Sequence, residues 1–234
     1  MEFIDNPTEQ TTAITDLILA ALSLSSALYL RRYRIADPWK VNLWAWAFAL
    51  LSLASGLGAA AHGITLSLTA IRLLWPPITI ALGLTIALFV VGAVYDLSGR
   101  GVARRLLRLM IGVGVAFFAI NQIVTGTFRV LLIYEGVAML VALIIYARIA
   151  SRHSLPGAAL MVAGTLITLI AAAFQNNHAI ELVLIWRFDH NGVFHLIQMI
   201  GVLALVTGLR AALLAQLARI GVVLGGSQSG SRGC

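Results

Sequence analysis

Cysteine occurs once in 234 residues, at Cys234, so a single chain can build neither a disulfide nor a thiolate metal site. Charge is scarce too: 11% of residues are Asp, Glu, Lys or Arg, against about a quarter in soluble domains. That scarcity excludes an ordinary soluble protein. Hydrophobic residues make up 60% of the chain, and mean hydropathy is +0.96. They run in stretches of roughly 18 to 22 residues, the length at which a helix crosses ~30 Å of hydrocarbon and too long for the strands of a transmembrane barrel. The fold class is all-α, a polytopic membrane protein.

Seven spans are expected, at residues 13–30, 43–63, 73–95, 106–123, 129–148, 155–174 and 193–215, each bounded by charge, Pro, Gly or Asn. Short connections make residues 1–220 one seven-helix domain, and 221–234 a flexible tail. Its "GGSQSGSRGC" ending has no prenylation pattern. No solenoid period or half-to-half symmetry is visible.

The net charge of +7 does not imply nucleic acid, because the basic residues flank apolar spans and act as topology signals. Arg31, Arg32, Arg34 and Lys40 follow the first span; Arg100, Arg104, Arg105 and Arg108 follow the third. Arg148 and Arg152 follow the fifth, and Arg210, Arg219 and Arg232 end the seventh. Only Arg72, Arg129 and Arg187 fall on the other side. The N-terminus is therefore expected outside and the C-terminus in the cytoplasm. Acidic residues before the first span and "RRYR" after it reverse the order of a cleavable signal peptide.

Polar residues gather at the outer end. His62 closes the second span, Asn121 and Gln122 the fourth, and Gln175 to His178 the sixth, while Asp189, His190, Asn191 and His195 open the seventh. Glu135 is the deepest acid, about 10 Å inside the fifth span counted from Arg129 at ~1.5 Å per residue. A carboxyl group at that depth marks a functional site or a paired or protonated structural residue. Ser55, Gly58 and His62 share one helix face of small residues. Asn191, His195 and Gln198 form a polar stripe that should face the bundle. His178 reads as an interfacial residue in an exposed connection.

Imidazoles converging from two helices, with carboxylates nearby, suit zinc. No HExxH motif is present. His190 and His195 lie five residues apart, which turns their rings ~140° from each other on a continuous helix. Both can be ligands only if the chain around Asn191 and Gly192 is non-helical.

"GLGAAAHG", "DHNGVFHLIQ" and the acidic "IDNPTEQTTAITD" resemble segments of the seven-helix superfamily of alkaline ceramidases and adiponectin and progestin receptors, in particular a bacterial branch placed near it. The resemblance covers the whole chain as architecture. It implies zinc held by a histidine ending the second helix in SxxxH and by two opening the seventh in HxxxH, near the outer face. It also implies calcium at the segment before the first helix.

On these positions His62, His195 and His190 are the candidate metal ligands, with Asp16 or Glu135 as a fourth ligand or general base. Asp5, Asn6, Glu9 and Asp16 offer oxygen donors suited to calcium, although Asp5 and Glu9 also read as merely solvated. Asp16 also reads as a first-turn acid, with Thr12 or Thr15 capping that helix. The sequence departs from the pattern in three places. Gly58 stands where the serine is expected, "RLLWPPITIALG" carries no acid, and HxxxH becomes His190 with His195, or Asn191 with His195.

The function expected first is an intramembrane zinc hydrolase of a lipid amide or ester, with membrane lipid as its partner and substrate. Trp75, Pro76, Pro77 and "AIELVLIWRF" could form its mouth, though tryptophans at that level also belong to the aromatic belt. A metal-containing sensor or lipid-binding protein is the second reading, and a bis-histidine haem protein on His62 and His195 the third. A retinal protein is disfavoured because the only lysine, Lys40, falls in a loop.

Overall fold

The computed structural model describes residues 2–124, 129–177 and 179–229. Among them are six helices: α1 (Pro7–Arg31), α2 (Pro38–Gly63), α3 (Leu68–Ile123), α4 (Arg129–Ser151), α5 (Ala158–Gln175) and α6 (His190–Ser229). All six are long and apolar enough to cross a membrane. A two-stranded antiparallel hairpin, β1 (Leu182–Val183) with β2 (Arg187–Phe188), precedes α6. Residues 221–229 of the expected tail continue α6 as helical backbone, and 230–234 lie outside the described residues.

The helices start earlier than hydropathy alone suggests, because their caps are polar. Asn6 accepts a hydrogen bond from the Thr8 amide with Pro7 in the first turn, and Asp37 accepts one from the Lys40 amide with Pro38 likewise placed. Ser67 caps α3 through the Ala70 amide. In each case the side chain satisfies an amide that has no partner within the helix. Thr12 and Thr15 are therefore not caps; they are buried inside α1.

At ~1.5 Å per residue, the length of α3 would be about 84 Å if straight, nearly three times the hydrocarbon thickness. It is not straight. Gly99 adopts φ 79° and ψ 177°, a conformation essentially reserved for glycine, and the chain reverses there. Farther along, Gly83 and Gly114 meet: a Cβ on either would stand 3.3 or 3.2 Å from the other's carbonyl oxygen. The two arms of α3 thus lie side by side, and the expected spans 73–95 and 106–123 fall one on each arm.

Each helix packs on the next, and α6 returns to α1, which closes a ring. Missing side chains allow the closest approaches. A Cβ on Gly164 would come 2.6 Å from Leu205 Cγ, and one on Gly208 2.9 Å from the Gly157 carbonyl, so α5 and α6 pack backbone to backbone. Gly92 leaves room for the Trp44 indole, which lies edge-on to Phe89. Outward faces stay apolar: Ile133, Val137, Leu140 and Ile144 line one exposed stripe of α4, as a lipid-facing helix requires.

Lys40 is not in a loop. It lies in the first turn of α2, and its ammonium donates to Asp96 Oδ1 at 2.6 Å, the two side chains being 1% and 3% exposed. The Tyr146 hydroxyl donates to the other Asp96 oxygen at 3.2 Å, and Tyr95 donates to Asp37. This charged cluster ties α2, α3 and α4 together at the end of the ring where the α1–α2 turn lies.

Candidate functional site

At the opposite end, the first half of α1 presents a polar face. Thr11, Thr12, Thr15 and Asp16 are spaced by one helical turn or by neighbouring positions, so they share one side, and all four are buried. Thr11 Oγ1 lies 2.7 Å from the Arg187 carbonyl of the hairpin, and Thr12 Oγ1 donates to Asp189 Oδ1 at 2.8 Å. Asp189 Oδ1 also accepts from the Gly192 amide at 2.8 Å. Asp189 thus caps α6 while being held by α1, which sets where His195 falls.

His195 is 6% exposed. Its Nδ1 stands 3.0 Å from Thr15 Oγ1. The Thr15 hydroxyl has acceptors of its own in the Thr11 and Thr12 carbonyls, at 3.0 and 2.9 Å. When that hydroxyl donates to the backbone, Nδ1 is the donor and Nε2 keeps its lone pair; when it donates to Nδ1, Nε2 carries the ring proton. That Nε2 faces Asp16 Oδ1 at 3.3 Å. In the first state two acceptors face each other and call for a cation between them, either a proton or a metal.

His62 repeats the pattern. Its Nδ1 pairs with Glu9 Oε2 at 2.7 Å, which leaves Nε2 free, and it lies within electrostatic reach of His195. Glu9 is therefore not merely solvated. Gly58, one turn before His62, explains the missing serine: a Cβ there would lie 2.6 Å from Asp16 Oδ2 and 3.1 Å from its Cγ. The Asp16 carboxyl fills that space and interacts with the Ser55 hydroxyl.

These groups open on a cavity of about 1120 Å³ lined by Asp16, His62, His190, His195, Gln198 and Glu135, together with apolar side chains such as Leu19, Phe48, Phe89 and Met139. Its volume slightly exceeds the usual range for ligand pockets, which run to about 1,000 Å³. Glu135 reaches the wall from α4, and among the described residues it has no hydrogen-bond or ion-pair partner. The polar stripe of Asn191, His195 and Gln198 does face the bundle. Trp75 lines the cavity too, whereas the hairpin residues Leu184, Ile185 and Trp186 are exposed.

Other expected donors are dispersed. Because α6 begins at His190, Asn191 and Gly192 are helical and the five-residue step puts His190 and His195 on different sides of α6, although both line the cavity. Asn6 serves as a cap, Asp5 is exposed, and Glu9 is on His62. His178 lies outside the described residues. Among the described residues no three His, Cys, Asp or Glu side chains form a ready metal-binding group.

The donor set nonetheless fits a metal ion. Histidine ligands typically have their second nitrogen held by a carboxylate or other partner, as Glu9 and Thr15 hold His62 and His195. A charge-assisted N–H···O contact is about 2.7–2.9 Å, shorter than the 3.3 Å between His195 Nε2 and Asp16 Oδ1. Ligand atoms ~2.1 Å from a tetrahedral zinc ion stand ~3.4 Å apart, close to that separation.

Fold and site together define an all-helical protein with membrane-length helices closed around a cavity whose polar end carries histidines and carboxylates. The chain belongs to a family of unknown function, DUF6962, whose profile matches residues 11–214. That match takes in Asp16, His62, Glu135 and His195 and leaves out Glu9. No curated protein and no solved structure matches the chain.

Proposed function

We propose that this chain is an integral membrane hydrolase of a lipid amide or ester, with zinc held by His62, His195 and Asp16. The observation that carries the reading is the approach of His195 Nε2 to Asp16 Oδ1 at 3.3 Å, at the polar end of a large cavity with apolar walls. Bound zinc would polarise a carbonyl and make water nucleophilic at neutral pH.

The residues of the chain do the rest. Thr15 and Glu9 fix the two imidazoles, and Asp16 supplies a carboxylate from α1. Apolar walls take the acyl chain and exclude water from it. Glu135, unpartnered in the wall, moves the proton from the attacking water to the leaving amine or alcohol as the new carbon–oxygen bond replaces the old carbon–nitrogen or carbon–oxygen bond.

In the bilayer, each arm of α3 makes one crossing, which gives seven in all, with the N-terminus outside, the C-terminus in the cytoplasm and the site near the outer face. Arginine placement supports this orientation, and a bacterial inner membrane suits it. Purified protein supplied with zinc should release fatty acid from a panel of N-acyl and O-acyl lipids, and Glu135→Gln should slow release about 100-fold or more. No release from any lipid would sink the hydrolase.

A second reading, a metal-containing lipid-binding protein without catalysis, is favoured by one observation. Asp16 fills the space beside Gly58, where the superfamily pattern has a serine, so the hydroxyl of that pattern is replaced by a carboxylate. The same carboxylate stands against His195 Nε2, where haem iron would have to sit, so the haem reading gains no support.

A further inference from the structure

The hairpin between α5 and α6 carries Val183, Leu184, Ile185 and Trp186 in an unbroken run, each between 64% and 86% exposed. Hairpin tips that face water are usually built from Gly, Asn, Asp, Pro or Ser, and residues 182–188 contain none of these. At the apex the Leu184 amide donates to the Trp186 carbonyl at 3.1 Å. Below it Val183 pairs with Arg187 and Leu182 with Phe188. The turn therefore closes on its own backbone, which lowers the cost of taking it out of water. Charge is confined to the base, where Arg187 donates to Glu181 at 3.2 Å.

The place of the hairpin on the bundle names what covers the tip. Thr11 Oγ1 lies 2.7 Å from the Arg187 carbonyl, so β2 covers α1 at Thr11, which is 8% exposed. Ile18, seven residues on, falls on nearly the same side of α1 about 10 Å deeper, and it is 51% exposed. The hairpin thus stands on the outside of the ring, directly above an apolar face that meets lipid, at the level where tryptophan is favoured. We propose that the tip formed by Leu184, Ile185 and Trp186 is a bilayer anchor, inserted among the headgroups and upper acyl chains of the leaflet at the polar end of the cavity. Because β2 runs into Asp189, which accepts from Thr12 and from the Gly192 amide at the start of α6, the anchor ties that end of α6 to the leaflet. The inference needs the helices to span a bilayer, but neither zinc nor catalysis.

The full chain in phosphatidylcholine nanodiscs tests it. In a Cys234→Ser background, Ile185→Cys is labelled with a nitrobenzoxadiazole thiol probe, beside Ile18→Cys as the lipid reference and Asp5→Cys as the water reference. The probe at position 185 should be shielded from iodide and quenched by lipid spin-labelled near the top of its acyl chain, at a depth of about 5–10 Å into the headgroup–acyl boundary. Trp186→Phe, which adds no probe, should remove part of the tryptophan emission that brominated lipid quenches. Iodide quenching at position 185 equal to that at position 5 overturns the anchor. So does a probe shielded from iodide and spin label alike, which would place protein over the tip, and so does unchanged bromine quenching in Trp186→Phe. A water-exposed probe at position 18 overturns the anchor together with the membrane reading. Neither readout depends on metal or turnover, so a failed hydrolase assay leaves the anchor standing and a failed anchor leaves the hydrolase to its own test.

Discussion

Asp16 and Gly58 form a pair in which the carboxyl of one requires the missing side chain of the other. A methyl at position 58 meets Oδ2 at 2.6 Å and Cγ at 3.1 Å, so the whole carboxyl must move. Gly58→Ala should lower thermal stability by about 1–3 kcal/mol, the usual cost of overpacking, and weaken metal binding. In an Asp16→Ala background the same change should cost almost nothing, a non-additivity that thermal unfolding of the four proteins measures. Among the described residues Glu9 pairs with His62. Glu9→Ala should reduce zinc affinity about 10- to 100-fold, as losing the hydrogen-bond partner of a ligand does, which competition with a chelator would read.

His62, His195, Asp16 and Glu135 were legible as residues that face the bundle, where they line the cavity, because ionisable groups inside apolar runs are rare and can be ranked by depth. The partners that hold them were not. Thr11, Thr12 and Thr15 are short and common in apolar segments, and nothing in their own spacing says that the facing surface is Arg187, Asp189 and His195 rather than lipid. Glu9 sits in an acidic stretch that reads as solvated until the register of α1 on α2 brings it to His62. Gln198 was legible as part of a stripe, but its hydrogen bond to Thr168, thirty residues away in sequence, was not.

Among the helices, α3 departs most from its pattern. Its reversal depends on Gly99, where a Cβ would meet nothing within 4 Å. Any loss on Gly99→Ala is therefore backbone strain, expected at about 1–3 kcal/mol and visible as a lowered unfolding temperature with the metal content unchanged. The Lys40–Asp96 pair joins α2 to α3 in the same region. Asp96→Ala leaves a buried ammonium unpaired and should cost about 3–5 kcal/mol, whereas the double change Lys40→Met with Asp96→Leu should cost much less.

Helix starts were partly readable: Asn6-Pro7 and Asp37-Pro38 are each a capping residue followed by proline, a start signal that hydropathy passes over. The burial of Lys40 was not readable from position alone. Its side chain looks like a topology signal until Asp96, fifty-six residues away, is placed beside it.

For the molecule as a whole, the ring of helices explains why the polar groups concentrate at one end. On the proposed function the cavity is reached by water where the histidines sit and by acyl chains farther in, and only the helix ends offer the first at moderate desolvation cost. Orientation is open to direct test. In a Cys234→Ser background, Asp5→Cys should react with a membrane-impermeant thiol reagent applied to intact cells, and Arg34→Cys should not; the reverse pattern would invert the topology.

The most direct test of the account is the zinc content of the purified full chain, by elemental analysis, beside His62→Ala and His195→Ala prepared in the same way. Zinc should be stoichiometric in the native chain and lost from both variants, each still folded as judged by its helical circular dichroism. Native protein without zinc after growth in zinc-supplied medium, or variants that keep it in full, would contradict a metal held between α1, α2 and α6.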